Sequence, residues 1–375
     1  MRVVKVTLLV TLMLCVLICL HNSSTTSAQN RSRQTKAKPT PKPSPTPTAL
    51  ELLGPPPPVP TFKQSEPEVG QGETISVETT EVMMPVTVRD ANGRLVKDLT
   101  RNDFLVFEND REQPLSEVAL RQVPVDVILM IDSSSSAASN LDDFRRAAEG
   151  FAARLREDDR ISLIKFDDSI QVLQDWTKSR YQLRRALNRV EPGMFTRFND
   201  ALFVAAREQY GTTRSRRAAI ILTDGIDSGR GITLDKALNA LLQAQVTVYV
   251  VSNTQISRAA KQEELDSYNG ATESVSRFNH IQIENLQLGL KALDQGERVL
   301  EQVVTATGGR LYKPASFAVL ESAYAEVAEE LRSQYALFYR PLDKTRDGKF
   351  RRTRVETTNK SYQTHSRIGY YTRGR

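Results

Sequence analysis

From Val125 onward, continuous apolar runs alternate with segments of helical periodicity, and this alternation limits the folds open to the chain. The runs are VDVILMI, ISLIKF, AAIILT, VTVYVVS and a shorter GRLY. They lack the polar alternation of half-exposed strands, so we expect strands buried on both faces of a parallel sheet. Between them, apolar residues recur on one helical face, for example at Phe144, Ala147 and Phe151. The pattern predicts a doubly wound α/β fold with a mostly parallel sheet.

Strand patterns of a second kind flank this region. Before it, the runs ISVETTEVMMPVTVRD, GRLVKDL and DFLVFEND are separated by the turn signals DANG and END. After it, YALFYRPL, KFRRTRVETT and THSRIGYYT have strand character again. We predict a small antiparallel β accessory unit, and we hypothesise that strands from both ends of the chain pair to form it.

The N-terminus has the order of a secretory signal peptide. Arg2 and Lys5 precede a long apolar run, and small polar residues follow as far as Ala28. An uncleaved membrane anchor is the alternative, although the run is short for a spanning helix. Both cysteines, Cys15 and Cys19, lie inside this segment, so a cleaved chain would contain no thiol and no disulfide. We therefore expect an exported protein in the periplasm, at the cell surface or secreted, with membrane or surface association through the N-terminus.

A proline-rich stretch from about residue 37 to residue 63 predicts an extended spacer after the export signal. A long segment late in the α/β region has helical patterning and is interpreted as an insertion. The predicted organisation is a signal peptide at 1–28, a disordered linker at 29–72, the first part of the accessory unit at 73–123, the α/β domain at 124–334 with a helical insertion near 255–295, and terminal strands at 335–375.

The charge excludes one broad class of partner. The chain of 375 residues has a formal net charge of +6, and residues 1–28 contribute two of the basic residues and no acidic one. Such a small excess is not typical of a nucleic-acid-binding protein. The basic segment from Lys344 to Arg375 is interpreted as solvated strand faces.

Oxygen-bearing side chains follow two of the predicted buried strands. Asp132 directly follows the run VDVILMI, and Ser134 and Ser136 come shortly after it. Asp224 directly follows AAIILT. In a parallel sheet both strand ends emerge at the carboxyl edge, near the switch in strand order where ligands bind. Carboxylates and hydroxyls are hard ligands that suit Mg²⁺, Mn²⁺ or Ca²⁺ rather than zinc or copper.

A further hydroxyl is available at Thr196, before the helix-like segment FNDAL. Together with DSSSS and LTDG, it resembles the metal-ion-dependent adhesion site (MIDAS) of von Willebrand factor A-type (VWA) domains. The resemblance implies that the hydroxyls ligate Mg²⁺, or alternatively Mn²⁺ or Ca²⁺, and that the aspartates bind directly or through water. It also implies that an acidic residue of a protein partner completes the shell. The implied metal ligands are Asp132, Ser134, Ser136, Thr196 and Asp224.

The flanking strands resemble those of exported acidobacterial proteins built around a VWA domain. Two positions depart from the family pattern: Ser135 stands where glycine is frequent, and Met194 and Phe195 stand where small residues are usual. The expected site has Thr196 as a ligand; in the alternative, bulk at Phe195 moves Thr196 away from the ion and weakens the site without destroying the fold. The serines would then act only as caps of the following helix.

Enzymatic readings lack essential residues. Ser134 stands where phosphotransferases of the haloacid dehalogenase type have their second aspartate, and no G-x-S-x-G elbow is present. The three histidines, His21, His280 and His365, lie in the signal region, the insertion and the tail, so no histidine base is expected at the site. We predict a non-enzymatic adhesion-type module that engages an acidic partner through its cation. The alternative is a metal-independent structural or interaction module of an envelope assembly.

Overall fold

The computed structural model describes residues 81–120, 123–134, 141–210, 215–229, 231–269 and 279–372. The predicted signal peptide and proline-rich linker lie outside these residues, as does Ser136. The described strands and helices belong to one compact unit, Ile75–Arg375. Among the described helices, none is both long and apolar enough to cross a membrane.

A six-stranded sheet forms the centre of this unit, and it confirms the predicted α/β class. Its strands lie in the order β10-β9-β8-β5-β6-β7, and every neighbouring pair is parallel except β6 with β7. The chain therefore builds outward in one direction from β5 to β7 and in the other from β8 to β10. The strands are β5 (Val125–Asp132), β6 (Arg160–Phe166), β7 (Ile170–Thr177), β8 (Arg216–Thr223), β9 (Val246–Ser252) and β10 (Leu311–Tyr312).

Both faces of the central sheet are covered by helices, which explains why its strands read as continuous apolar runs. Every residue of β5 and β9 is buried. Odd-numbered residues of β5, such as Val127 and Leu129, pack with α1, α2 and α7; even-numbered residues, such as Ile128 and Met130, pack with α3, α4 and α6. The helices are α1 (Leu141–Ala153), α2 (Arg180–Leu187), α3 (Phe198–Val204), α4 (Leu234–Gln243), α5 (Thr254–Asn269), α6 (His280–Thr307) and α7 (Leu320–Ser333).

The strand β7 was not predicted, because its pattern is less apolar than that of its neighbours. It lies antiparallel to β6 at the edge of the sheet, and only one of its eight residues is fully buried. An edge strand covered on one side needs few apolar residues, so the continuous-run criterion misses it.

Two four-stranded sheets, with the orders β13-β1-β11-β4 and β14-β12-β2-β3, combine strands from before and after the central sheet. Their pairings are antiparallel: β1 pairs with β11, with Val82 opposite Tyr339, and β2 pairs with β12, with Val106 opposite Val355. Residues of both sheets share one apolar cluster. The strands are β1 (Val82–Arg89), β2 (Phe104–Glu108), β3 (Arg111–Gln113), β4 (Leu115–Leu120), β11 (Tyr335–Tyr339), β12 (Phe350–Thr357), β13 (Gln363–His365) and β14 (Gly369–Tyr371).

The run GRLVKDL is not a strand, and its prediction as one was wrong. Only an isolated bridge joins Leu95 to Arg89. The segment instead satisfies its backbone through the side chain of Tyr335, whose hydroxyl accepts from the Leu99 amide at 3.0 Å and donates to the Val96 carbonyl at 3.1 Å. In this segment Leu95, Val96 and Lys97 are all partly exposed, so the apolar residues of the run do not mark the buried face of a strand.

The two helices α5 and α6 occupy the region predicted as a helical insertion. Arg258 on α5 binds Asp294 and Glu297 on α6, each at 2.9 Å. The helix α6 is 28 residues long, or about 42 Å at the rise of an α-helix. We call this pair of helices the helical hairpin.

Candidate functional site

Two aspartates meet at the point where the strand order reverses. Asp132 is the last residue of β5, and Asp224 directly follows β8, the strand beside it. One carboxylate oxygen of Asp132 accepts from the Ser134 amide at 3.0 Å, and the other accepts from the Thr223 hydroxyl at 2.7 Å. The Asp224 carboxylate accepts from the Ile226 amide at 3.1 Å. Both carboxylates are therefore fixed by the loops that leave the sheet.

The electrostatics of Asp132 reflect this crowding. Its side chain is almost completely buried, with 1% of the residue exposed. Burial raises the pKa of Asp132 to about 7, and the charge of Asp224 adds to the rise, while hydrogen bonds from Ser134 and Thr223 oppose it. Within the described residues, Asp132 forms no salt bridge. A cation between the two aspartates would relieve this cost.

A cavity of about 450 Å³ opens above the carboxyl edge of the sheet. Ser134, Thr196 and Asp224 line it together, although they come from three loops that are distant in sequence. Asp132 lies next to this wall through its contact with Ser134. Ser136, the fifth residue of the predicted set, lies outside the described part of the chain.

The loop that carries Thr196 is held from two sides. The amides of Met194 and Phe195 both donate to the Asp168 carboxylate, each at 3.1 Å. The Thr196 carbonyl accepts from the Ser228 amide at 2.8 Å, which ties this loop to the one that follows Asp224. The position of Thr196 is thus set by backbone hydrogen bonds that do not depend on its neighbours' side chains.

The two bulky residues before Thr196 point mainly toward solvent. Met194 is 70% exposed and Phe195 is 60% exposed, whereas Thr196 is buried. Of the two, Met194 contributes to the cavity lining. Bulk at Phe195 therefore does not displace Thr196 from the cavity wall.

Asp200 and Asp227, which follow the predicted ligands in sequence, act as backbone acceptors. Asp227 accepts from the Phe198 amide at 3.0 Å, at the start of α3, and from the Gly229 amide at 3.1 Å. Asp200 accepts from the Ile232 amide at 3.0 Å and from Arg197 at 3.0 Å. Neither lines the cavity. These hydrogen bonds fit a capping role for both residues.

Comparison with known proteins gives the family of this region. The family model of the von Willebrand factor type A domain matches residues 126–289. The chain contains a von Willebrand factor type A domain. No curated protein sequence matches the chain. The resemblance to the acidobacterial subgroup stays a prediction, because the match concerns the VWA domain alone.

Solved structures with a similar arrangement come from several sources. Proximal thread matrix protein 1 from the mussel byssus, in a form with a zinc-occupied MIDAS motif, is 14% identical, with a TM-score of 0.43 over 60% of this chain and 50% of that one. This chain thus spans about half the length of the mussel protein. The vWF domain of the pilus tip protein Mfa5 from Porphyromonas gingivalis is 15% identical, with a TM-score of 0.40 over 56% of this chain and 95% of that one. A von Willebrand factor type A structure from Catenulispora acidiphila is 11% identical, with a TM-score of 0.42 over 78% of this chain and 75% of that one.

The donor set of this VWA domain fits a hard divalent cation. Two carboxylates and two hydroxyls converge on one edge of the sheet, and these are the ligand types that Mg²⁺ and Mn²⁺ accept. In the described ranges, no group of three or more His, Cys, Asp or Glu side chains is placed to hold a metal. An ion at this site would thus depend on hydroxyl as well as carboxylate oxygens.

Sequence reasoning missed two groups of residues around the VWA site. Asp168 holds the Thr196 loop, and its signal was the pair of aspartates that follows the apolar run ISLIKF. The helical hairpin contributes Ser257, Lys261 and Glu264 to the cavity wall. These lie at helical spacing on one face of α5, which sequence could indicate, but nothing in the sequence places that face over the site.

Proposed function

We propose that this protein is an exported binding module whose VWA domain engages an acidic group of a protein partner through a divalent cation. The observation that carries the proposal is the convergence of Ser134, Thr196 and Asp224 on one cavity, with buried Asp132 behind them. Buried aspartates that repel each other at a sheet edge are costly unless a cation lies between them. The site has the donors to hold that cation.

The proposed ligands for Mg²⁺ are the five residues predicted from sequence. Asp132 and Asp224 supply negative charge, while Ser134, Ser136 and Thr196 supply hydroxyl oxygens. When bound, the cation supplies an open coordination position for a carboxylate oxygen of the partner. Mn²⁺ and Ca²⁺ are alternatives with the same preference for oxygen.

Binding, rather than catalysis, is supported by what surrounds the site. Within the described residues, the cavity is lined by hydroxyl, carboxylate, ammonium and apolar side chains, with neither histidine nor cysteine among them. The described histidines, His280 and His365, lie in the helical hairpin and in β13. We therefore propose no catalytic residues and no nucleic-acid partner.

Export is proposed from the sequence of the N-terminal segment, with its basic residues followed by an apolar run and small residues. The proline-rich spacer would hold the folded unit away from the surface to which it is delivered. Periplasm, cell surface and medium are all consistent with this order.

The proposal is tested by calorimetric titration of the purified protein with Mg²⁺ and Mn²⁺. Asp132→Asn keeps an oxygen for the Ser134 amide but removes one negative charge, so saturable binding should be lost in a folded protein. Asp142→Asn is the matched control, because Asp142 is an exposed carboxylate at the start of α1 and should leave binding intact. A folded wild-type protein that binds neither ion would support the alternative, a metal-independent structural module.

A further inference from the structure

The helical hairpin forms one wall of the cavity that contains the candidate metal ligands. From α5, the lining residues are Ser257, Ala260, Lys261 and Glu264, which are spaced by three or four residues and so share one helical face. From α6, Gly289 and Leu293 complete the wall. A ligand bound in this cavity would therefore lie beside this helical surface.

The hairpin is packed firmly against the loop that carries Asp224. A Cβ atom at Gly296 of α6 would lie 2.6 Å from the Asp224 carbonyl oxygen, and one at Gly225 would lie 2.6 Å from the Leu300 side chain. Only glycine at both positions lets the backbones approach so closely. Hydrogen bonds from Arg258 to Asp294 and Glu297 join the two helices. The wall thus has a fixed position relative to the site.

Lys261 is a positively charged residue on this wall, and its surroundings suit an anionic ligand. The residue is half-buried, and its Cδ and Cε atoms lie 3.3 Å from the position that a Cβ atom at Gly289 would take, so its stem lies flat on α6. Within the described residues, Lys261 forms neither a salt bridge nor a hydrogen bond. A half-buried ammonium beside a cavity is a ready partner for an anion.

The cavity is larger than one ion and one carboxylate require. At about 450 Å³ it falls within the range of pockets that hold small organic ligands or several side chains. Met194, Ile226 and Leu293 contribute apolar surface to the same lining. The remaining space suits a short carbon chain.

We infer that the ligand of this site carries two carboxylates, one for the bound cation and a second for Lys261. Glu264, one turn along the same helical face, would repel a carboxylate placed beyond Lys261 and so limits the spacing between the two acidic groups. This inference rests on the proposed function and names the chemistry of its partner. Two neighbouring acidic side chains of a protein and a small dicarboxylic acid share this chemistry.

The test measures the Mn²⁺ affinity of the full protein by calorimetry in the presence of two acids of similar size. Glutarate has two carboxylates and butyrate has one. Because ligand and ion bind cooperatively, glutarate should tighten Mn²⁺ binding about threefold or more beyond the effect of butyrate, in keeping with one additional ion pair. Lys261→Met should abolish the difference. Lys291→Met is the control, because Lys291 lies on α6 outside the cavity lining and the difference should persist.

A second arm distinguishes the two sources of the ligand. An acetylated Gly-Asp-Gly-Asp-Gly peptide is compared with the same peptide in which one Asp is Asn. A larger effect of the two-Asp peptide assigns the site to a protein segment, and an effect of glutarate alone assigns it to a small acid. If glutarate and butyrate had equal effects on Mn²⁺ affinity, and the two peptides also had equal effects, the inference would be overturned while metal binding remained intact. Absence of Mn²⁺ binding in wild type would instead overturn the proposed function.

Discussion

Asp168 shows how a single exposed residue can position a buried one. Its carboxylate accepts from the amides of Met194 and Phe195, which directly precede Thr196. An ordinary hydrogen bond contributes about 1 kcal/mol, so two of them can hold a short loop in one conformation. The Thr196 hydroxyl is therefore kept at the cavity by a residue that does not itself line the cavity.

We expect Asp168→Ala to weaken Mn²⁺ binding about tenfold, because Thr196 would no longer be held at the cavity wall. The melting temperature should change little, since Asp168 is exposed and no core contact is lost. Asp168→Asn keeps one acceptor oxygen and should recover part of the affinity. Calorimetry and thermal unfolding measure the two effects, and unchanged Mn²⁺ affinity in Asp168→Ala would show that the loop needs no such anchor.

The helix α6 packs in the core and also supports the loop that carries Asp224. Its C-terminal part packs into the core through Leu300 and Val303. Gly296, between this part and the cavity wall, meets the backbone of Asp224. A change at this contact should therefore affect both folding stability and the candidate site.

Two glycine substitutions in α6 separate these effects. Gly296→Ala would place a methyl group 2.6 Å from the Asp224 carbonyl, so we expect a loss of about 1–3 kcal/mol in stability and weaker Mn²⁺ binding. Gly289→Ala meets only the flexible stem of Lys261, and alanine favours helix by about 1 kcal/mol. It should therefore leave stability equal or higher. Urea unfolding and Mn²⁺ calorimetry provide the comparison, and equal losses in both variants would contradict the proposed contact.

The strand β13 contains a histidine whose titration should influence stability. Burial lowers the pKa of His365, and Arg89 and Arg310 lower it further, while Glu330 opposes them. Since the folded pKa lies below the unfolded value of about 6.5, the unfolded state binds the proton more readily. The contribution of His365 to stability is thus complete above about pH 6.5 and is lost as the pH falls through the lower folded pKa.

We therefore expect His365→Gln to reduce the loss of stability between pH 7.5 and pH 5.5, as measured by urea unfolding at both values. His280→Gln is the control, because it makes the same substitution at an exposed histidine at the start of α6. If the wild type and His365→Gln lost equal stability on acidification, another group would have to be responsible.

The two kinds of sheet in the whole molecule differ in how far the sequence reveals them. The central strands, such as β5 and β9, could be predicted because burial on both faces leaves continuous apolar runs. The edge strand β7 could not, since partial exposure removes that signal, and the run around Leu95 was wrongly predicted as a strand although it forms only an isolated bridge. Pairing of the terminal strands was a hypothesis from pattern, and their registers are set by contacts that no local pattern encodes.

The candidate site shows the same division between local and distant information. Motifs indicated Asp132, Ser134 and Asp224 because each lies at the end of a strand or within two residues of it, where short-range sequence is informative. Lys261 and Glu264 reach the same cavity only because the helical hairpin folds back over the sheet. Their role depends on packing between residues far apart in the chain, so their spacing alone could not reveal it.

The accessory sheets and the VWA domain share a buried ion pair, which makes the stability of one depend on the other. Glu330 of α7 is fully buried and binds Arg89 of β1, while the Tyr312 hydroxyl donates to it at 2.9 Å. The amide of Ile368 donates to the Ala306 carbonyl at 3.0 Å at a second contact. Removal of the terminal strands would leave the Glu330 charge without Arg89.

We expect a fragment of residues 124–334 to be less stable than one of residues 73–375, because Glu330 loses its ion pair with Arg89 and keeps only the longer contact with Arg310, at 4.0 Å. Urea unfolding followed by circular dichroism measures the difference. A fragment of 124–334 with Glu330→Gln should recover part of the loss, because an uncharged amide is cheaper to leave without its partner. Equal stability of the two unmodified fragments would mean that the accessory sheets do not stabilise the VWA domain, and that the Arg89 contact adds nothing to its folding.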